Sequence, residues 1–414
     1  MATQTWLGNA AAVAQITTLT PASPSANDTF SITCNSKTLS YVTAAGTVAD
    51  VCSGISNLIS KSAYAEFKEF TATVNSGTVV LTGNTVGLPF AVTLAVTTSG
   101  SATFTQSTGT AATGPNDWAN TANWSSGSVP VSGDVVYIST GSVPIFYGLG
   151  QSAVTLTSLN IAQSYTGTIG LPTYNRSGYW EYRANELAIS ATTVNVGTGS
   201  TGNGSGRIKL NVGSVACTLN VYNTGQPLDQ GNPALTWRGT SASSVVNLNK
   251  GSIGIAFFPG NTATVSALNI GYVSNQSSDV QLICGVGVTL TTLDMNGGGV
   301  QLNNGATTIT QNAGTLSVLG MGGVTTLNVD GGTCIYNSTG TLTTATIAEN
   351  GTLDFSQDQQ AKTVTNTIKM YGDSSTLSDP FQVVGSLVVD LQQSKNIANL
   401  NLGTNIKLTR GTPP

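Results

Sequence analysis

The sequence contains no histidine. That absence removes serine–histidine and cysteine–histidine nucleophilic catalysis, imidazole-ligated metals and the one side chain whose ordinary titration falls near neutrality. Charge is almost as scarce. Lys, Arg, Asp and Glu make up 8% of the 414 residues, against roughly 25% in ordinary soluble domains. The 14 basic residues form no stripe and the net charge is −4, so no nucleic-acid partner is expected. No apolar run approaches the ~20 residues that cross a bilayer as a helix, and membrane insertion is not expected. The first ten residues, MATQTWLGNA, have neither a basic n-region nor an apolar h-region, so no Sec-type leader is read there. Cysteine is sparse and odd in number. Cys34, Cys52, Cys217, Cys284 and Cys334 include no C-x-x-C pair. Neither a disulfide framework nor a zinc site is expected, and the five read as small buried hydrophobes. No cofactor and no metal are expected.

Glycine (48 residues), serine, threonine and asparagine take the place of the missing charge, while hydrophobic residues hold at 39%. Small, uncharged, β-compatible residues with tight corners suit stacked strands. They do not suit helices, whose solvent faces carry Glu, Lys and Ala. From residue 150 onward one short motif recurs: Thr/Ser or a small residue, an apolar residue, Asn/Asp/Thr, an apolar residue. It reads Ser158-Leu159-Asn160-Ile161, Thr193-Val194-Asn195-Val196, Thr218-Leu219-Asn220-Val221, Val245-Val246-Asn247-Leu248 and Ala267-Leu268-Asn269-Ile270. It continues as Thr292-Leu293-Asp294-Met295, Thr308-Ile309-Thr310-Gln311, Thr326-Leu327-Asn328-Val329 and Thr344-Ala345-Thr346-Ile347. The interval between copies begins at 35 residues and settles at 18. Unequal steps of this size with Gly/Asn corners predict a right-handed parallel β-helix (a β-solenoid) over 151–381. Its inward Val, Leu and Ile would stack from coil to coil, and its Asn and Thr would form polar ladders. Residues 382–414 regain charge and end in Pro413-Pro414, which predicts C-terminal coils or a cap.

The N-terminal third reads differently. Thr29–Thr33 and Leu39–Val42 alternate as strands about a turn at Asn35-Ser36. Val48, Val51, Cys52, Ile55, Leu58 and Ile59 follow helical spacing, with Thr47 as N-cap and Asp50 three residues on. Phe67–Val74, Thr78–Thr82 and Phe90–Val96 read as further strands. A small α+β domain is therefore expected over 28–96, preceded by a strand or cap segment at 1–27. A Ser/Thr/Gly-rich linker or exposed edge is expected over 97–114 and a β-helix cap or entry segment over 115–150. The whole chain is expected to be mainly β, with the α+β domain inserted near the N-terminus.

Two resemblances attach to particular residues. Thr29–Thr33, the helix from Thr47, Val79-Val80-Leu81-Thr82 and Gly87-Leu88-Pro89-Phe90-Ala91-Val92-Thr93 resemble a module repeated in phage and prophage tail and virion structural proteins. GTIGLPTYN, GSGRIKLNVGSVACTLNVYNTGQP and NKGSIGIAFFPG are similar to uncharacterised proteins of planctomycete-like phages and their hosts. Separately, Asn123-Trp124-Ser125, Pro130, Gly133-Asp134 and Val135–Ile138 resemble the opening segment of autotransporter-type β-helices. There a Trp-x-Gly strand lies shortly upstream. Here the comparable piece is Trp6-Leu7-Gly8, so residues of about 20–110 are expected to interrupt a cap built from Trp6, Trp118 and Trp124. These resemblances imply a non-enzymatic structural component of a phage-like particle: a fibre, spike or decoration protein, extracellular after release. They imply capsid or tail subunits as partners and a homo-oligomer, a trimer among the open states. A glycan-binding or glycan-degrading tailspike and a bacterial surface adhesin remain the alternatives.

Chemistry is thinly represented. Asp294 and Asp330, with Glu349 and Asp354 near them in sequence, are the carboxylates to weigh for glycan hydrolysis, which needs a pair. Both aspartates stand beside Gly-rich corners and read as turn residues. Gly197, Gly199 and Gly202 match G-x-G-x-x-G, but a strand follows instead of a helix, which excludes a dinucleotide site. The remaining candidate is the aromatic and charged run Tyr174, Arg176, Tyr179, Trp180, Glu181, Tyr182 and Arg183, in the longest interval between motif copies. It predicts a sugar-stacking site or a subunit contact, including one to a cell-surface glycan. Asn123 and Asn175 stand in Asn-x-Ser sequences expected by chance.

Overall fold

The computed structural model describes residues 2–175, 177–199, 202–225, 231–271, 280–392, 400–403 and 406–410. The chain is mainly β, dominated by one large parallel-strand sheet. The recurring motif sets its register. Asn160, Asn195, Asn220, Asn247, Asn269, Asp294, Thr310, Asn328 and Thr346 pair in succession, each with the next. Before them stand Tyr137 and Thr5 in the same column. Alternation along each strand turns the residues on either side of this column inward. Val136, Leu159, Val194, Leu219, Val246, Leu268, Leu293, Ile309 and Leu327 form one buried stack. A second ladder brings Leu235, Ile253, Leu282, Val300, Leu316, Cys334, Leu353 and Leu377 into another, and both stacks belong to a single core. Truncating any of these Leu or Ile side chains to Ala should cost about 2–5 kcal/mol. Burial pushes the thiols of Cys217, Cys284 and Cys334 up to about 12. All five cysteines are buried and free.

The asparagines form a true side-chain ladder. Each Nδ2 donates to the Oδ1 one repeat earlier: Asn195 to Asn160, Asn220 to Asn195, Asn247 to Asn220 and Asn269 to Asn247, at 2.8 or 2.9 Å. Asn160 starts the run on the Val136 carbonyl. The next column position is Asp294, whose side chain lacks the amide N–H that would continue the run to Asn269. Asn220→Ala should therefore lower stability by about 1–2 kcal/mol, since it strands both a half-buried donor and an acceptor. Asp294→Asn should add a rung and raise stability by about 0.5–1.5 kcal/mol. Chemical denaturation of the two variants beside the parent checks this. Identical midpoints for all three would show that the ladder contributes nothing.

Corners are glycine where repeats touch. A Cβ at Gly305 would overlap the Gly323 carbonyl oxygen of the next repeat. In the segment read as C-terminal coils or a cap, strands continue the ladders. Leu387–Leu391 pairs with Ile368–Met370, and Ile406–Arg410 pairs with Leu387–Leu391. Lys395, Pro413 and Pro414 lie outside the described residues, as do the side chains of Lys407 and Arg410.

The helix expected from Thr47 spans Val48–Lys61, with the Thr47 hydroxyl accepting from the Asp50 N–H. Its buried face is Val51, Cys52, Ile55 and Ile59. Gly54 lies in mid-helix because a Cβ there would overlap the Tyr41 ring. Around the helix stand two antiparallel sheets. One orders Phe70–Asn75, Thr78–Gly83, Ile16–Ala22 and Thr103–Thr110; the other orders Lys37–Val42, Thr29–Cys34 and Thr93–Thr97. They share a second core that includes Leu19, Phe30, Ile32, Phe67, Leu81 and Phe90. Asn35 and Ser36 both take positive φ, as a tight hairpin turn requires. Within the stretch read as a linker or exposed edge, Thr103–Thr110 is an edge strand of this sheet, and within the segment read as a strand or cap, Ile16–Ala22 is a strand that joins the same sheet. Pro21 fits there because its strand meets Thr78–Gly83 only through Leu19, so beyond that point its missing N–H has no partner to disappoint.

Asp50 does not close a capping box. Its carboxylate accepts from the Thr43 hydroxyl at 2.6 Å, the Tyr41 hydroxyl at 2.7 Å, and the Ala44 and Ala45 N–H groups at 3.0 Å. The Thr43 bond first, then the Tyr41 bond, lower its pKa from an ordinary 3.8 to about 2. The folded carboxylate thus holds its proton more weakly than the unfolded one. Its contribution is complete above about pH 4 and is lost as pH falls through about 2. Melting temperature followed across this window should fall more steeply for the parent than for Asp50→Asn. Parallel curves would refute the assignment.

Candidate functional site

The aromatic and charged run lies in the segment between Leu171 and Glu186, which leaves the parallel ladders and returns. Tyr174 and Trp180 pair antiparallel, and the Tyr174 hydroxyl donates to the Gly178 carbonyl at 2.8 Å, so the segment forms a small hairpin. One face of it grips the helix-bearing segment. Arg183 Nη2 donates to both oxygens of Glu69 at 2.5 Å, and Arg183 Nη1 donates to Glu181 at 2.8 and 3.1 Å. Arg183 Nε donates to the Pro89 carbonyl at 2.7 Å. The Tyr179 and Tyr182 hydroxyls both donate to Glu69, the latter at 2.9 Å. The Arg183 guanidinium also lies 4.5 Å from the Tyr182 ring centroid. Asn35 Nδ2 donates to the Trp180 carbonyl at 3.0 Å.

The cluster is dry. The side chains of Arg183, Glu69 and Glu181 keep 10%, 7% and 2% of their exposure. Charges so buried are tolerable only when fully paired, and here the guanidinium fork is met on three sides. Burial, then the bond to Glu69, pushes the Tyr179 phenol well above its ordinary range. Burial likewise raises Tyr147 nearby, to about 12. Burial raises the Tyr182 phenol as well, so Tyr179 and Tyr182 act as neutral donors to Glu69. Four of the residues singled out in sequence, Tyr179, Glu181, Tyr182 and Arg183, are brought together around Glu69. Tyr174 and Trp180 stand apart on the outer side of the hairpin, and Arg176 lies outside the described residues. Sequence reasoning missed Glu69 and Asn35, more than a hundred residues from the hairpin, because nothing local marks them as its partners.

The three cap residues also meet. Trp6 and Trp124 ring centroids are 5.2 Å apart, and Trp118 and Trp124 are 4.6 Å apart, both edge-on. Trp124 Nε1 donates to the Trp118 carbonyl at 2.8 Å. Asn123, which stands in both the resemblance to the β-helix opening segment and a chance Asn-x-Ser, is fully buried and staples the join. Its Oδ1 accepts from Ala10 N–H at 2.7 Å, and its Nδ2 donates to the Gly114 and Asp117 carbonyls at 2.8 Å. Asp134 accepts from the Ala2 and Val131 N–H groups, and the Val131 bond lowers its pKa.

Asp294 and Asp330, the two aspartates weighed for hydrolysis, do not stand on neighbouring repeats; Asp330 lies instead opposite the irregularity that takes in Ala348 and Glu349. Asp294 occupies the asparagine column. Asp330 follows Val329 on a strand two repeats later, two positions beyond the column residue Asn328. Among the described residues no group of three His, Cys, Asp or Glu is placed to hold a metal. The glycine match at Gly197, Gly199 and Gly202 is interrupted by Ser200 and Thr201, which lie outside the described residues. No protein-family model matches the chain, and no curated protein or solved structure is significantly similar to it.

Proposed function

We propose that this chain is a structural component of a phage-like particle, a fibre, spike or decoration protein built on a parallel β-helix. The observation that carries the reading is the unbroken register from Thr5 to Thr346, with stacked aliphatic interiors and an asparagine ladder outside. Each repeat completes the core of its neighbours, an arrangement suited to a stiff rod. At about 4.8 Å per repeat, on the order of a dozen repeats make a rod roughly 60 Å long. The helix-bearing segment is read as a small α+β domain inserted between Trp6 and Trp118 and latched to the rod through Glu69 and Arg183. Its resemblance to virion modules supports capsid or tail subunits as its partners and the particle as its location.

Fractionation tests this. Quantitative mass spectrometry of density-purified particles should find the chain at a fixed stoichiometry to the major capsid or tail protein. Recovery only from soluble or cell-envelope fractions would overturn the proposal.

A further inference from the structure

The hairpin that grips Glu69 has a second face that the grip does not use. Tyr179, Glu181, Tyr182 and Arg183 reach the Glu69 cluster, whereas the Trp180 ring makes no part of it and stands in solvent. Trp180 is 68% exposed, Tyr174 54% and Tyr64 44%. Large rings left in water forgo the stabilisation that burial brings. Yet these rings are held in place. Tyr174 and Trp180 stand edge-on with centroids 5.4 Å apart. Asn175 Oδ1 accepts from the Ser177 N–H at 2.9 Å within the same turn. Asn35 anchors the Trp180 backbone from the opposite wall. Between them runs a cleft of about 450 Å³, bordered also by Ser36, Lys37 and Glu66. That volume falls within the usual range for small-ligand sites.

We infer that this cleft binds a neutral oligosaccharide. A pyranose presents an apolar C–H face and a rim of hydroxyls. The Trp180 and Tyr174 rings supply an apolar, electron-rich surface for the first. The Asn35 amide oxygen, the Ser36 hydroxyl and the Lys37 ammonium supply acceptors and donors for the second, while Asn35 Nδ2 is held by the Trp180 carbonyl and by Glu66 Oε1. Lys37 and Glu66 bring opposite charges to the same cleft, which favours neither an anion nor a cation. A quaternary ammonium is disfavoured further, because Lys37 Nζ already stands 5.6 Å from the Tyr64 ring centroid. The inference rests on the cleft alone and does not depend on the particle assignment.

Intrinsic fluorescence gives a local readout, since Trp6, Trp118, Trp124 and Trp237 are buried and Trp180 alone of the five tryptophans is exposed. The full chain is screened on an array of neutral oligosaccharides of glucose, galactose, mannose and N-acetylglucosamine, and hits are titrated in solution. At least one glycan should bind saturably, shift the emission to the blue and protect it from acrylamide. Trp180→Ala should weaken that binding at least about tenfold with an unchanged melting curve. Tyr222→Ala, which removes an exposed ring elsewhere, should leave it intact. No binding across the array, full affinity in Trp180→Ala, or binding of tetramethylammonium in place of sugar would each overturn the inference.

Discussion

Glu69→Ala should cost about 3 kcal/mol or more and loosen the helix-bearing segment from the parallel ladders. Glu69 is the common acceptor for Arg183, Tyr179 and Tyr182. Its removal leaves a buried guanidinium half-paired, with Glu181 as its remaining carboxylate, and two phenols without their acceptor. Breaking a buried ion pair from one side typically costs about 3–5 kcal/mol, far more than the pair contributes relative to an apolar replacement. Glu69→Gln keeps the shape and one acceptor oxygen, and should fall between the two. Calorimetry should show one transition in the parent and a separate, earlier one in Glu69→Ala. Trypsin should gain access to the bond after Arg183. Combining Glu69→Ala with Arg183→Met should cost less than the sum of the single changes, because the stranded charge is gone. A single unshifted transition, with Arg183 still protected, would mean that the hairpin does not hold the two parts together.

Trp124→Ala should be of similar size, about 3–5 kcal/mol, and should act at the join between Trp6 and Trp118. Trp124 is the middle ring of the trio and the one that gives its indole proton to Trp118. Without it, Trp6 loses its partner and the pairing of Thr3–Thr5 with Val135–Tyr137 loses its cover. Hydrogen exchange should accelerate first in residues 2–10 and 114–125, ahead of the repeats beyond Leu187. Trp124→Phe keeps most of the apolar contact and should cost about 1–2 kcal/mol. Uniform exchange in the parent and Trp124→Ala would show that the trio does not close this end.

The parallel part of the fold was legible because one spacing rule governs it. The residue at the third motif position fixes the register, and the same residue that reads as a ladder in sequence donates as a ladder in the structure. The helix at Thr47 was legible for a local reason as well, since an N-cap and a 3.6-residue period need no distant partner. The strands Ile16–Ala22 and Thr103–Thr110 were not. Both are rich in threonine and small residues, and neither shows the apolar alternation that marks a half-buried strand. The grip on Glu69 was half legible. Four of its residues were picked out as a contact, but only the fold brings Glu69 to them from the N-terminal third. The sequence pattern also could not separate Tyr174 and Trp180, which line the cleft and take no part in the Glu69 cluster, from Tyr179 and Tyr182, whose hydroxyls bond Glu69, because all four are aromatic within one short segment.

Cryo-electron microscopy of intact, purified particles is the measurement closest to the central claim. The account predicts projecting rods roughly 60 Å long with strand layers about 4.8 Å apart, each carrying a lateral lobe at the end nearest Trp6 that touches a neighbouring subunit. Particles that lack such rods, or whose rods persist when this chain is deleted, would contradict it.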